Sequence, residues 1–570
     1  MFIFFRVRKF SRVAGLVFGG LLFLFVAPDV SLSQSTPTPT PVPTPTPVDA
    51  VPVAPTFSTP PRPMPSADRI GVDAVNQLSL TLQQAIEMAL KNNNDIDASR
   101  NNSRISDFNL LGARGVYDPL LTSENYYESL TTPTASAIGG AVNGAVTQKR
   151  FFGSAGVSGF SPYQGGNYSV LFNGARTTTS NTNSFLNPQF PTSLAFSFTQ
   201  PLWRNRSIDN NRHNIEIAKK NIDISDSQLK LEAITVVTNV ENAYWDLAYA
   251  LRNLQVQIDT LKQAKDQLES NKRLVDRGVL APIEIVAANA QISTFEQGVF
   301  TAQEAVTRAE NTVKTLVLPD RTSAEWSRPL TPVTPVTLDV PQVGLEVAVA
   351  GALKDRPEIS QLATTAEINK IDQRFFRNQT KPQIDVVGTY TPQGLAGTET
   401  PAAINPVTGV SRVPPNLVGG FGTSLGNLFA RDYPSYHVGV NISLPWGNRI
   451  AKANLGRTLV EGDRIANNRA QQEQTIEAEV RNALQALRSA ESRLQSATDA
   501  RTAAEELYNS EERQFRAGTT TFYLVLQRQT DLTAARGREI QARTDLNKAI
   551  VEFQRSTGST LTVNNITVSK

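Results

Sequence analysis

Ser197-Phe-Thr-Gln-Pro-Leu-Trp-Arg-Asn-Arg206 and Asn441-Ile-Ser-Leu-Pro-Trp-Gly-Asn-Arg449 are two versions of one motif. In each, an alternating segment stops at a proline, a tryptophan follows, and about seventy residues of heptad pattern then run to a glycine, Gly278 or Gly518. A duplication on that scale dictates architecture before any single side chain is interpreted. It predicts a tube rather than a catalytic pocket.

Leu194, Phe196 and Phe198 alternate with Ala195, Ser197 and Thr199, and Val438, Val440, Ile442 and Leu444 alternate with Gly439, Asn441 and Ser443. Such alternation gives a strand one apolar and one polar face, so return strands are expected at about 192–201 and 433–445. A proline-led partner precedes each, at about 117–130 after Tyr117-Asp-Pro119 and at about 382–392 from Pro382. The stretches between, 131–190 and 391–432, are rich in Gly, Ser, Thr, Asn and Pro and read as loops. Alternation of Tyr168, Val170 and Phe172 raises an extra hairpin in the first. Prolines 119, 201, 382 and 445 stand where a ladder must stop, and Pro201 with Trp203 and Pro445 with Trp446 mark the sheet-to-helix junctions.

The helical signal is stronger still. Ala233, Val240, Leu247, Leu254, Leu261, Leu268 and Val275 recur every seven residues, and Ile285, Ile292, Val299, Val306 and Val313 do so on the returning limb. These are coiled-coil seams. The second hairpin uses smaller residues, including Ile476, Val480, Ala483, Leu487 and Ala490. Each repeat also opens with a helix, in which Ala85, Leu90 and Ile96 align with Ala348, Leu353 and Ile359. The expected division is a first repeat over 75–318, with helix 80–114 and hairpin 206–318; a Pro-rich connection over 319–341; a second repeat over 342–557, with helix 343–380 and hairpin 448–557; and a tail over 558–570.

Arg6, Arg8, Lys9 and Arg12 precede an apolar run from Val13 to Ala27 that gives way to Ser31-Leu-Ser33, the order of a secretory signal peptide over residues 1–33. Residues 34–74 are dominated by Thr-Pro alternation, which lacks amide donors and reads as an extended spacer. There is no cysteine, which removes disulfides, thiol chemistry and a lipidated cysteine anchor. Only two histidines occur, His213 and His437, in different repeats, so both are expected to be packing or surface residues and not metal ligands. A net charge of +3, from 55 basic and 52 acidic residues, makes no field to attract nucleic acid.

Four alternating strands without a proportionate core are expected to be staves of a membrane barrel, since a sheet in lipid must close. Closed barrels need about eight strands or more, so several chains must share one. Phe196, Phe198, Trp203, Tyr436 and Trp446 would then sit at the lipid headgroups.

The Leu80-Thr-Leu-Gln-Gln-Ala-Ile-Glu-Met-Ala-Leu90 opening and its duplicate, Tyr117-Asp-Pro119, Thr199-Gln-Pro-Leu202, and the hairpin turns Gly278-Val-Leu-Ala281 and Arg516-Ala-Gly-Thr-Thr520 occur in a set order. In that order and spacing the chain resembles TolC-like outer-membrane efflux proteins over roughly residues 75–557. The resemblance implies an α+β membrane protein: a homotrimer in which each chain gives four strands to a shared β-barrel in outer-membrane lipid and its helices to a periplasmic coiled-coil tunnel. It implies a passive duct without cofactor or bound metal. The tips Gly278, Val279, Leu280, Gly518, Thr519 and Thr520 would contact a periplasmic adaptor, which links the duct to an inner-membrane transporter. It also places a gate near the tips. Family aspartates of the second hairpin align with Leu524 and Gln527, so the acidic ring is replaced by neutral residues with Arg528 nearby. Glu284 matches a latch position whose usual partners align with Phe515 and Thr520.

No nucleophile, phosphate loop or paired-carboxylate constellation stands out, so an enzyme is not expected. A structural or adhesive coiled-coil envelope protein is the competing reading, since heptads alone would suit it. An adaptor is disfavoured by two full hairpins joined to membrane-type strands.

Overall fold

A computed structural model describes residues 63–568 apart from 67, 74–75, 136–138, 142 and 336–339. The expected signal peptide and most of the Thr-Pro spacer lie outside the described residues. The elements run β1 (Leu78–Leu80), α1 (Leu82–Asn92), α2 (Asn94–Arg114), β2 (Leu120–Pro133), β3 (Ala145–Phe160), β4 (Asn167–Thr179), β5 (Leu186–Pro201), α3 (Asn210–Asp276) and α4 (Ile283–Val317). After β6 (Leu330–Pro332) come α5 (Leu345–Asp355), α6 (Pro357–Gln379), β7 (Gln383–Glu399), α7 (Phe421–Ala430), β8 (Tyr433–Ser443), α8 (Arg449–Arg516), α9 (Phe522–Thr557) and α10 (Thr560–Val563).

The heptad limbs form two hairpins. Helices α3 and α8 contain 67 and 68 residues, on the order of 100 Å each at the helical rise. Their partners α4 and α9 contain 35 and 36, so each return limb covers about half the long helix. In the first repeat α1 and α2 pack along the rest of α3, and in the second α5 and α6 pack along α8. The cores are duplicated accordingly. Ala85, Ile86, Val240, Tyr244, Leu247, Val306 and Val313 form the first, and Ala348, Ile476, Val480, Leu487, Leu546 and Phe553 the second.

Each opening helix, expected to be continuous, is broken once. Asn93 and Arg356 stand at the same offset that aligns Ala85 with Ala348, and both have extended backbones, with ψ of 127° and 128°. Asn93 caps α2 by accepting from the amides of Asp95 and Ile96, and its Nδ2 donates to the Leu316 carbonyl. Arg356 precedes Pro357 at the first turn of α6, and a residue before proline avoids helical geometry.

Apart from β1 and β6, which pair in parallel, the strands form one antiparallel sheet in the order β2-β3-β4-β5-β7-β8. It has six strands, not the four expected, because residues 131–190 hold β3, β4 and parts of their neighbours. Their signal is muted by glycine. A Cβ on Gly159 would stand 2.8 Å from the Tyr168 hydroxyl, and one on Gly156 the same distance from Leu171, so large cross-strand neighbours occupy the space above a bare backbone. Strand register divides the sheet into two faces. One carries Val157, Tyr168, Val170, Phe172, Leu194, Phe196, Phe198, Val386, Tyr390, Tyr436, Val438, Val440 and Ile442; the other carries Glu124, Glu128, Arg150, Ser197, Asp385, Thr389, His437 and Asn441. On the apolar face the ionisable side chains are Lys149 and Arg176, both towards the loop end. Strands β2 and β8 are open edges.

Two buried polar sites lie along the first repeat, the second of them tying it to the C-terminal tail. Lys314 Nζ lies 2.6 Å from Glu310 Oε1 and donates to the Trp326 carbonyl, while Arg69 reaches Glu310 Oε2 at 2.7 Å; the Lys314 and Glu310 side chains are each 1% exposed. Glu241, 3% exposed, accepts from Asn564 through Oε1 while its Oε2 has no partner. Burial opposes its charged form, and the single hydrogen bond only partly offsets this, so its pKa is raised to about 7 from 4.5.

Lys314→Met should lower stability by about 1–3 kcal/mol, read as the denaturant midpoint followed by helical ellipticity, because it leaves the buried Glu310 carboxylate with Arg69 as its one cationic partner. Since Glu241 resists ionisation in the fold, its contribution declines as pH rises from 4.5 and levels off above about 7. Glu241→Gln should therefore match the parent in acid and exceed it by ~3 kcal/mol above neutrality in the same assay.

Candidate functional site

The two hairpin turns use the same backbone device. Gly278 has φ +73° and Gly518 φ +76°, the left-handed region that side chains avoid. In the first turn the Gly278 amide bonds the Val275 carbonyl and the Val279 amide reaches back to Leu274 O, each at 2.9 Å; in the second Gly518 bonds Phe515 O and Thr519 bonds Gln514 O, each at 3.0 Å. These paired bonds satisfy the last carbonyls of α3 and α8. A Cβ on either glycine would meet nothing within 4 Å, so the tips are open. Val279 and Ile283 are exposed on the first, Leu280 is half-buried, and Thr519 and Tyr523 are exposed on the second. The first tip thus presents the apolar Val279 and Ile283, and the second the hydroxyl-bearing Thr519 and Tyr523, beside a bare backbone.

Residues named for the gate are only partly brought together. Phe522 and Val525 of α9 pack into a cluster with Leu261, Leu268, Ile292 and Phe295 of the first hairpin, which joins the hairpins near their tips. Leu524 and Arg528 are half-buried on α9 and Gln527 is exposed. Arg528 is held by Asp531 of its own helix at 3.4 Å. Thr520 donates to Glu511, and Phe515 stacks on Phe522 with ring centroids 5.7 Å apart. The latch partners are therefore engaged within the second hairpin, and Glu284 stands half-buried at the start of α4.

At the opposite end the return strands feed directly into the long helices. Pro201 closes β5, the Leu202 amide still bonds Ile384 O, and Asn205 turns the chain with φ +67°. Asp209 then caps α3 by accepting from the Arg212 amide. On the second side Pro445 and Trp446 are exposed and lead through Gly447 (φ +82°) and Asn448 (φ +42°) into α8. Trp446 is 100% exposed and Trp203 49%. Asn378 was not legible in the sequence. Its Oδ1 accepts from the Asn205 amide at 2.7 Å and its Nδ2 donates to Ser207, while Gln379 holds Asn205 Oδ1, so the end of α6 clamps the first junction. A lone asparagine near a helix end carries no sequence signal of such a long-range partner.

His213 is a packing residue: it bonds Asp372 at 2.7 Å and stacks on Phe375. Among the described residues no group of His, Asp or Glu is arranged to hold a metal ion, and no helix is long and apolar enough to cross a membrane.

The profile of the outer membrane efflux protein family matches residues 170–317 and 352–559. Among solved structures, the outer-membrane channel OprN is similar over 89% of this chain and 99% of its own, with TM-score 0.59 and 17% identity. The CmeC outer membrane channel of Campylobacter jejuni is similar over 88% and 94%, with TM-score 0.57 and 15% identity. The open-state MtrE channel of Neisseria gonorrhoeae is similar over 84% and 89%, with TM-score 0.56 and 16% identity. A search of curated proteins found no match.

Proposed function

Because the chain belongs to the outer membrane efflux protein family, and so is an outer-membrane channel protein with its helices on the periplasmic side, we propose that it is the exit duct of a tripartite export system. The observation that carries this reading is the sheet: six strands, one apolar face, two open edges, and two return strands that run through proline into the long helices. Three copies joined edge to edge, β8 of one to β2 of the next, make an eighteen-stranded barrel. That is the size class of about 16–18 strands that leaves an aqueous channel. Glu124, Arg150, Asp385 and His437 then face the pore, and the exposed Trp203 and Trp446 lie at the inner headgroups.

The tips, Gly278 with Val279 and Leu280 and Gly518 with Thr519 and Thr520, dock a periplasmic adaptor protein that couples the duct to an inner-membrane transporter. The bare glycine backbone admits a partner's main chain, and the flanking apolar side chains give it surface to bury. The constriction is neutral, built from Leu524 and Gln527 with Arg528 neutralised by Asp531, and Glu284 stands beside it without the polar latch. Energy and most substrate selection come from the transporter.

Purified trimers should produce stepwise single-channel conductance in planar bilayers; a water-soluble monomer without conductance would favour a structural envelope protein instead. At the tips, Gly278→Val costs roughly 1–2 kcal/mol of backbone strain whereas Gly278→Asn tolerates the left-handed turn. Both should lose in-cell crosslinking to the adaptor while trimer and barrel persist. Full crosslinking by Gly278→Asn would show that the glycine serves only the turn.

A further inference from the structure

Helix α7 lies in the β7–β8 connection and crosses the apolar face of the sheet. Phe421 sits over Gly174 of β4, where a Cβ would be 3.1 Å from its ring. Ser424 Oγ is 2.8 Å from Thr192 Oγ1 of β5, and Gly394 of β7 lies directly under the helix backbone, a Cβ there falling 2.1 Å from the Ser424 carbonyl. From Phe421 to Leu428 the helix rises on the order of 10 Å, about two strand spacings, which agrees with a path across β4, β5 and β7.

Apart from the buried Leu428, its polarity is inverted relative to a surface helix in water. The polar side chains Ser424 and Asn427 face the sheet and are satisfied there, Asn427 Nδ2 donating to Leu395 O at 2.9 Å and Asn416 O at 2.8 Å. The outward positions are Gly422, Gly426, Phe429 and Ala430, all exposed and all apolar, with Phe429 at 70%, while the Phe421 ring lies over Gly174 with its other side exposed at 42%. No charged residue occurs from Val418 to Ala430; Arg431 and Asp432 follow at once. A helix that satisfies its polar groups inward and shows only apolar atoms outward suits hydrocarbon, not water.

We infer that α7 is a membrane-embedded helix, wrapped across the outside of the barrel with Phe421 and Phe429 among the acyl chains of the outer leaflet. Its outward surface continues the sheet face that carries Tyr390, Tyr436 and Val438, and Arg431 and Asp432 mark the headgroup level. A second copy of the chain is a poorer occupant, because α7 covers the interior strands β4, β5 and β7 while subunit pairing uses the edges β2 and β8. The inference rests on the barrel reading, and the test separates the two.

The chain has no cysteine, so single-cysteine variants take one nitroxide each. Phe429→Cys, Val440→Cys on the apolar face and Ser435→Cys on the polar face are reconstituted as trimers in phospholipid vesicles, and collisions with oxygen and with a water-soluble nickel chelate are compared. Phe429→Cys should show the same excess of oxygen over nickel collisions as Val440→Cys, with Ser435→Cys showing the reverse. Nickel access at Phe429→Cys beside a lipid-like Val440→Cys overturns the inference and leaves the barrel standing. Protection of Phe429→Cys from both reagents, the mark of a protein partner, overturns it too. Nickel access at Val440→Cys refutes the barrel, and the helix proposal falls with it.

Discussion

The unpaired edges of β2 and β8 are the constraint on which the rest of the architecture turns. Each edge presents a row of backbone amides and carbonyls that hydrocarbon cannot solvate, and the apolar face between them cannot rest in water. Edge pairing with further copies resolves both demands at once. In the proposed barrel the polar face would line a lumen, and the junctions at Pro201 and Pro445 would set the long helices around the same axis.

Rigidity is concentrated where the two architectures meet. At the first junction a strand of the sheet gives way to the 67-residue helix α3, and the chain accomplishes this in the few residues from Pro201 to Asp209. Asn378 and Gln379 hold that turn from the other repeat, so the two halves share one geometry at the membrane boundary. At the far end the hairpins are joined by Phe522 and Val525 in an apolar cluster, with Thr260 bonded to Thr533 and Gln291 to Thr530 alongside. Apolar packing between coils permits sliding at lower cost than breaking buried ion pairs.

How far each element was legible follows from the range of the forces that shape it. The α3 and α4 seams were readable because heptads are local and repeated, and the return strands because Leu194 to Thr199 and Val438 to Ser443 alternate cleanly. Strand β3 was hidden because Gly153, Gly156 and Gly159 are chosen by what lies across the ladder, as Tyr168 over Gly159 shows. The breaks at Asn93 and Arg356 were missed because helical periodicity continues on both sides of them. At the tips the glycines announced themselves, since a left-handed turn leaves few other choices. Phe515 and Thr520, aligned with the latch partners of Glu284, are both engaged within their own hairpin.

By itself the chain's order of residues determined the duplication, the coiled-coil limbs with their glycine turns, and the amphipathic strands at 192–201 and 438–443, because periodicity records which face each element must hide. Only the tertiary structure decided that six strands form the sheet, that α7 crosses its apolar face with polar groups turned inward, and that Asn378 clamps the first junction. Those features depend on partners far away in the chain, and a small or polar residue acquires its meaning from what is brought against it.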